Sequence, residues 1–462
     1  MHRMNPSVRT AAGLEGSRVV TEAAPAPSTR YARRGELHVA YQVAGTGPPL
    51  VLIADWFGHL DTRWEWPSYA AALTRLASIS QLISFDKRGT GLSDPVDTGR
   101  LPDLEDWMDD VRAVLDEVGV KRADVIGVGA GAAMVLLFAA VHPHRIQRIV
   151  LVNAYSRLRR ADDYPAGFPP DLVETILASS YIAPSEVAVL SGERANAAFR
   201  SWWLRYQRHA VSPGVAIAMR QMMFEIDVRP VLRSIQAPTL VLHRRDDEWI
   251  RVGHGRYLAE HIPGAELVEL DGDEDLFFEG DADELLGHVE QFLRGARRPP
   301  EIDRVLATVL FTDLVDSTRM TANLGDRRWG NMLDDHDSVI DRAVRSHRGV
   351  LIKHTGDGVL AVFDGTARAI RCAAAIREGL GEIGLQVRAG IHAGEIERRR
   401  NDVGGITVNI ASRIMSLAGT GEIRVSRVVR DLVAGSGLEF TECGLSTLKG
   451  VPGEFELFTA IV

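Results

Sequence analysis

Cysteine is almost absent: Cys372 and Cys443 are the only two in 462 residues. Two cysteines cannot build a disulfide framework, and neither sits at metal-site spacing, so a reducing, cytoplasmic compartment is the expectation. A surplus of positive charge is also missing. With 53 Lys and Arg against 62 Asp and Glu, the net charge is −9. Nucleic acid and anionic membranes need clustered cations, so neither is an expected partner. The short run Arg398-Arg399-Arg400 reads as solvated loop charge. Long apolar runs are lacking as well. The longest uncharged stretch, Val125 to Pro143, is broken by Gly127, Gly129 and Gly131, so it reads as strand, turn and buried helix and not as a membrane span. The first thirty residues lack the basic start, apolar core and small-residue cleavage site of a secretory signal. They are rich in Ala, Pro, Ser and Thr, and residues 1–30 are read as a disordered tail.

What remains is an ordinary globular mixture, 45% hydrophobic and 25% charged, in a chain long enough for two cores. Over 31–296, short apolar runs (Leu50–Ile53, Leu82–Phe85, Ala123–Gly127, Ile149–Val152, Thr239–His243) alternate with helical patterns such as Leu104–Val118. Such alternation predicts a parallel sheet with helices on both faces, an α/β domain. Arg297-Arg298-Pro299-Pro300 then breaks the pattern, because proline lacks the amide donor and favours extended backbone. Residues 297–303 are read as a linker. A second, α+β series occupies 304–462. It has a strand at Val305–Leu310, helices around Ser317–His347, a strand pair from Val350 to Phe363 and a helix near Thr366–Leu380. A strand at Leu385–Ile391, a helix at Val408–Leu417 and shorter strands complete it.

Two segments of the first domain carry chemistry-bearing patterns. Asp86-Lys87-Arg88-Gly89-Thr90-Gly91-Leu92-Ser93-Asp94-Pro95 fits D-x-R-G-x-G-x-S-x-P. Gly127-Val128-Gly129-Ala130-Gly131 follows a strand and precedes an apolar helix, where a G-x-S-x-G nucleophile elbow belongs. On these segments the domain resembles the α/β-hydrolase superfamily, which implies that fold with a helical cap at about 156–229. The resemblance also implies a catalytic triad, and here it is incomplete. Gly129 stands at the nucleophile position and has no nucleophile. Asp247 or its neighbour Asp246 keeps the acid position. The loop Asp271-Gly272-Asp273-Glu274-Asp275-Leu276-Phe277 has no imidazole, and Asp275 aligns with the histidine. Ester hydrolysis is therefore not expected. A small-molecule ligand remains an option for a retained pocket, which needs shape more than catalytic groups. Trp202, Trp203, Tyr206 and Phe224 either line such a pocket or pack the cap on the body.

In the second domain, the strand Val305–Leu310 runs into Phe311-Thr312-Asp313-Leu314-Val315-Asp316-Ser317-Thr318. This places a carboxylate at a strand end, beside turn amides suited to phosphate. Lys353-His354-Thr355-Gly356-Asp357-Gly358 between apolar strands reads as a hairpin with Asp357 at its tip. In Asp402-Val403-Gly404-Gly405-Ile406-Thr407-Val408-Asn409-Ile410-Ala411-Ser412-Arg413, a helix starting near Thr407 sets Asn409 and Arg413 on one face. These three segments resemble the class III nucleotide cyclases over about 160 residues. The resemblance implies a ferredoxin-like core working as a homodimer on ATP. Asp313 and Asp357 match the family's metal-binding aspartates, which implies two Mg²⁺ or Mn²⁺ ions per site. Asn409 and Arg413 match its transition-state pair, and Lys353 and Asp402 its base-selecting positions. Lys449, in Thr447-Leu448-Lys449-Gly450-Val451-Pro452-Gly453, resembles a phosphate-contacting lysine. Adenine agrees with a Lys and Asp pair, because its exocyclic amine donates and its N1 accepts. The family's division of labour gives the metal aspartates to one subunit and Lys353, Asp402, Asn409 and Arg413 to its partner. Three other readings are an ester hydrolase with a nucleotide-binding regulator, a diguanylate cyclase and a module that holds ATP without turnover. Gly129 opposes the first, and Thr355-Gly356-Asp357-Gly358-Val359 does not fit the G-G-D/E-E-F hairpin of the second.

Overall fold

The computed structural model describes residues 26–55, 57–99, 101–178, 196–295, 304–315, 326–355, 357–399 and 402–462. Most of the expected tail, through residue 25, and the linker 297–303 lie outside the described residues.

The first sheet has β1 (Arg30–Arg34), β2 (Leu37–Ala44), β3 (Pro49–Ile53), β4 (Gln81–Phe85), β5 (Ala123–Val128), β6 (Ile146–Val152), β7 (Thr239–Arg244) and β8 (Glu266–Leu270) in the order β1-β2-β4-β3-β5-β6-β7-β8. The first two strands join antiparallel, and from β4 onward the pairs are parallel. The helices are α1 (Pro67–Ile79), α2 (Leu104–Val118), α3 (Gly131–Val141), α4 (Pro170–Ala178), α5 (Ala197–Ala210), α6 (Pro213–Glu225), α7 (Gly253–His261) and α8 (Ala282–Arg294). Local chemistry fixes their ends. Asp103 caps α2 by accepting from Asp106 N at 2.9 Å, and Gly119 ends it at φ 79, the left-handed conformation glycine adopts freely.

The second sheet has β9 (Arg304–Leu314), β10 (Val350–His354), β11 (Val359–Phe363), β12 (Val387–Arg399), β13 (Asp402–Gly404), β14 (Ile423–Ser426), β15 (Glu439–Thr447) and β16 (Glu454–Ile461). Its order is β10-β11-β9-β12-β14-β16-β15, with β13 folded back on β12. Among the described residues only β12 and β14 run parallel in it. The helices α9 (Asp326–Ser346), α10 (Thr366–Glu382), α11 (Ile406–Leu417) and α12 (Arg427–Leu432) complete it. The helix expected to start at Ser317 is described from Asp326. The strand expected to end at Ile391 runs on to Arg399. Alternation splits β9 between two cores: Leu306, Leu310 and Leu314 face the helices α9 and α10, while Val305, Ala307, Val309 and Phe311 face α11.

The two sheets are not separate beads. All eleven residues of α3 are buried, as a helix apolar on every side requires, because it is enclosed between its own sheet and β9. Leu136 and Leu306 thus belong to one apolar cluster. Among the described residues no helix is long and apolar enough to cross a membrane.

Candidate active site

Register builds the site at the end of β9. Thr312 pairs with Val359 of the antiparallel β11, so the β10–β11 turn that carries Asp357 lies at the end of β9 that carries Asp313. Thr355 N donates to Gly358 O at 2.8 Å to close that turn. Gly358 is required there, since a Cβ would lie 2.0 Å from Thr312 O. Asp313 is partly exposed and answers Arg388, its register partner on β12. The guanidinium donates to Asp313 Oδ2 through Nε at 2.9 Å and again through Nη2. Sequence reasoning passed over Arg388. Its signal was an arginine inside an otherwise apolar strand start, Val387-Arg388-Ala389-Gly390-Ile391.

The other expected residues fall into different places. Lys353 is exposed near the end of β10, on the Asp357 side of the sheet. Asp402 is described by its backbone, opposite Arg399; their neighbours Ile352 and Val403 meet in the apolar cluster beneath α11. Asn409 and Arg413 are on the exposed side of α11, whose Ala411 and Met415 pack on the sheet. Lys449 is exposed in the turn between β15 and β16. There Leu448 packs against Ile410 and Ile414 of α11. The strand directions put that turn at the end of the sheet away from Asp313. Asp313, Asp357, Arg388 and Lys353 thus share one end, whereas Asn409, Arg413 and Lys449 gather on and beside α11.

The elbow of the first sheet has a different content. Gly129 turns at φ +51, and a Cβ on it would lie 2.6 Å from Asp55 Oδ1. That oxygen accepts from Ala130 N at 2.8 Å. In a hydrolase this amide, one residue past the nucleophile, serves the oxyanion. Here a carboxylate holds it. Of the two candidate acids, Asp246 is exposed and Asp247 is buried. Asp247 Oδ1 accepts from Trp249 N at 2.8 Å and Ile250 N at 2.9 Å, while its Oδ2 is buried and faces the field of the Asp275 carboxyl. Burial pushes Asp247 up to about 7 in spite of the two amides. Burial first, then the charges of Asp247 and Asp55, push Asp275 well above the carboxylate range. Asp55 was not singled out from sequence, although an acid just past the end of β3 was its signal. The cap aromatics pack against one another and the body. Trp202, Trp203 and Tyr206 are buried in a stack with Trp66 and Phe199, and Phe224 sits against Phe168.

Residues 48–281 match the family model of the alpha/beta hydrolase fold, and residues 300–461 that of the adenylate and guanylate cyclase catalytic domain. The chain belongs to the alpha/beta hydrolase fold family, and its C-terminal part carries the cyclase catalytic domain. It is a hydrolase-fold domain joined to a class III cyclase domain. Over 167 residues, 34% of the chain, it is 28% identical to a candidate adenylate cyclase, cyclase 3 of Rhizobium meliloti, and spans 28% of that protein's length. The hydrolase-fold part is 24% identical over 240 residues to the karrikin insensitive 2 receptor CA of Petunia hybrida, covering 50% of this chain and 85% of that protein. The structure of an esterase from Exiguobacterium antarcticum superposes with a TM-score of 0.52 at 18% identity, over 58% of this chain and 100% of the esterase. That likeness concerns the fold alone.

Proposed function

We propose that the cyclase domain converts ATP to 3′,5′-cyclic AMP and pyrophosphate at a site shared between two copies of the chain. The observation that carries this reading is that Asp313 and the turn holding Asp357 come to the same end of adjacent strands, with Arg388 braced against Asp313. Two neighbouring carboxylates are the hard oxygen donors that Mg²⁺ or Mn²⁺ takes, with substrate phosphates completing the shell. Asp313 and Asp357 would hold two such ions, which when bound neutralise the triphosphate and make the ribose 3′-hydroxyl a better nucleophile. Arg388 fixes the orientation of the Asp313 carboxylate by a two-donor contact.

The remaining steps belong to side chains. Lys353 donates to adenine N1 and Asp402 accepts from the exocyclic amine. Asn409 orients the ribose so that its 3′ oxygen meets the α-phosphorus. The new O–P bond replaces the bond to the bridging oxygen, pyrophosphate leaves, and the hydroxyl proton passes to solvent. Arg413 meets the charge that develops on the α-phosphate, and Lys449 contacts phosphate. The exposed placement of Asn409 and Arg413, and the position of Lys449 away from Asp313, support a homodimer in which α11 of one copy faces Asp313 and Asp357 of the other. The hydrolase-fold domain acts as a non-hydrolytic sensor of a small molecule. Gly129 and the engaged Ala130 amide support that part, as does the likeness to a protein named as a receptor.

The test is direct. Purified full-length protein incubated with ATP and Mg²⁺ or Mn²⁺ should form cyclic AMP, and chelator should stop it. Turnover undiminished by chelator would remove the metal roles of Asp313 and Asp357.

A further inference from the structure

The helix α2 belongs to the hydrolase fold, yet its first turns are built into the cyclase fold. In α10 the residue before the helix is Gly365, which has no side chain to satisfy the open amides of the first turn. Glu105 of α2 does this instead: its Oε1 accepts from Ala367 N at 2.7 Å, across 262 positions of sequence. Ala367 is the second residue of α10, and that amide is one of the two that an N-cap side chain normally satisfies. Gly365 is glycine for the same contact, because a Cβ there would lie 2.3 Å from Glu105 Oε2. Charges hold the two helices in place around this point. Asp109 of α2 takes Arg348 at 2.6 Å and also Arg368 of α10. Arg112 of α2 reaches Asp364 at 2.8 Å. Glu105 is 4% exposed. Burial, then the charge of Asp103, pushes it up to about 8, so near pH 7 it is held mainly as the neutral acid, which glutamine mimics in shape and acceptor.

The contact is mechanically connected to the metal aspartates. Only Asp364 and Gly365 separate α10 from β11, and β11 begins two residues after Asp357. All five residues of β11 are buried, and it is bonded on both sides, to β10 and β9. Such a strand moves as a unit, so displacement at the start of α10 carries to Asp357 at its other end.

We propose that Glu105 is a positioning residue for the cyclase reaction, by which the hydrolase-fold domain completes the start of α10 and sets where β11 holds Asp357. The inference rests on the cyclase reading above. It explains why a domain with an emptied elbow is integral to the enzyme: the cyclase fold lacks its own cap at this helix.

The experiment uses full-length protein with Glu105→Ala, Glu105→Gln and Gly365→Ala. It measures kcat and KM for ATP with Mg²⁺, and amide hydrogen exchange over 367–370. Glu105→Ala should lower kcat about ten-fold or more while KM stays within about two-fold, because a small misplacement of a reacting group costs turnover more than binding. Exchange in the first turn of α10 should quicken about five-fold, as expected for a lost cap. Glu105→Gln should keep both close to wild type. Gly365→Ala, which displaces Glu105 from the other side, should reproduce the alanine defect and decides the matter should Glu105→Ala fold poorly. Wild-type kcat in both Glu105→Ala and Gly365→Ala would overturn the proposal. So would a Glu105→Gln protein as impaired as Glu105→Ala, since the acceptor would then not be what matters. Absence of cyclic AMP from the wild type would defeat the cyclase reading instead. The exchange measurement would still stand, and unchanged exchange in Glu105→Ala would overturn the cap.

Discussion

At the end of β9 a carboxylate stands partly open to solvent, answered by an arginine on the next strand and flanked by a second aspartate on a turn. At the elbow after β5 the opposite has happened: Asp55 presses on the glycine, and burial together with the charges of Asp247 and Asp55 raises Asp275. Both places join a strand end to a turn, the position from which side chains can converge on a ligand. What separates them is the supply of partners. Asp313 is answered by a guanidinium and partly open to solvent, so a cation can approach it. Asp247 and Asp275 are buried together, which favours a shared proton over ionisation. A carboxylate placed to meet a ligand is thus marked by its answering group and its access to solvent more than by its presence.

The contrast can be broken most forcefully at Asp313. Asp313→Ala should lower cyclic AMP formation by about a thousand-fold or more, since a metal ligand is lost outright; substantial residual turnover in a coupled pyrophosphate assay would contradict the assignment. Next comes its partner. Arg388→Ala should cost about a hundred-fold in kcat, the scale on which a single preorganised charged donor acts, and Arg388→Lys should recover only part because a point charge cannot make the two-donor contact. A rate unchanged by Arg388→Ala would reduce the pair to a structural ion pair.

Composite pairing predicts a smaller effect with a defined ceiling. Asp357→Ala and Arg413→Ala proteins, each inactive, should regain up to about a quarter of wild-type activity when mixed. Random exchange makes about half the dimers mixed, and each of those has one intact site of two. No recovery, with exchange verified by differently tagged copies, would place the whole site within one chain.

At the elbow the expected gain is nil. Gly129→Ser should leave short-chain ester hydrolysis at background, since the base is missing and Asp55 holds the Ala130 amide. It should also lower the Tm by several degrees, because a side chain at positive φ against Asp55 costs about 1–3 kcal/mol. Measurable esterase activity in that variant would show that the triad argument fails. The smallest effect concerns pH. Folding raises Asp247 from 3.8 to about 7, so the folded state binds the extra proton in that window. Stability is then greatest below it and declines as pH rises through it. Asp275 is raised by folding as well, so Asp275→Asn should flatten the fall in Tm above about pH 4; an unaltered slope would mean that the Asp275 carboxyl does not titrate with folding.

Much of this was legible without coordinates, for reasons that particular residues make plain. Leu104–Val118 emerged as a helix with those same bounds because Asp103 and Gly119 mark its two ends locally. Asp313 and Asp357 stood out because each follows or precedes a short apolar strand with turn residues beside it. The missing hydroxyl at Gly129 was visible by inspection. The role of Trp202 and Trp203 was not. An aromatic in a helix stripe has the same signature whether it lines a cavity or stacks on a neighbour, and only the fold shows the stack with Trp66.

The sequence alone determined the two fold classes, many of the strands and helices in each, and which strand end retains its acids, since periodicity, caps and residue chemistry are properties of neighbours in the chain. The tertiary structure decided who answers whom. Arg388 meets Asp313 across 75 positions, Asp55 meets the Ala130 amide across 75, and Glu105 caps Ala367 across 262. Such pairs follow from sheet order, strand register and the docking of one core on another. No local pattern encodes them, because the free energy that selects them comes from burying whole faces at once.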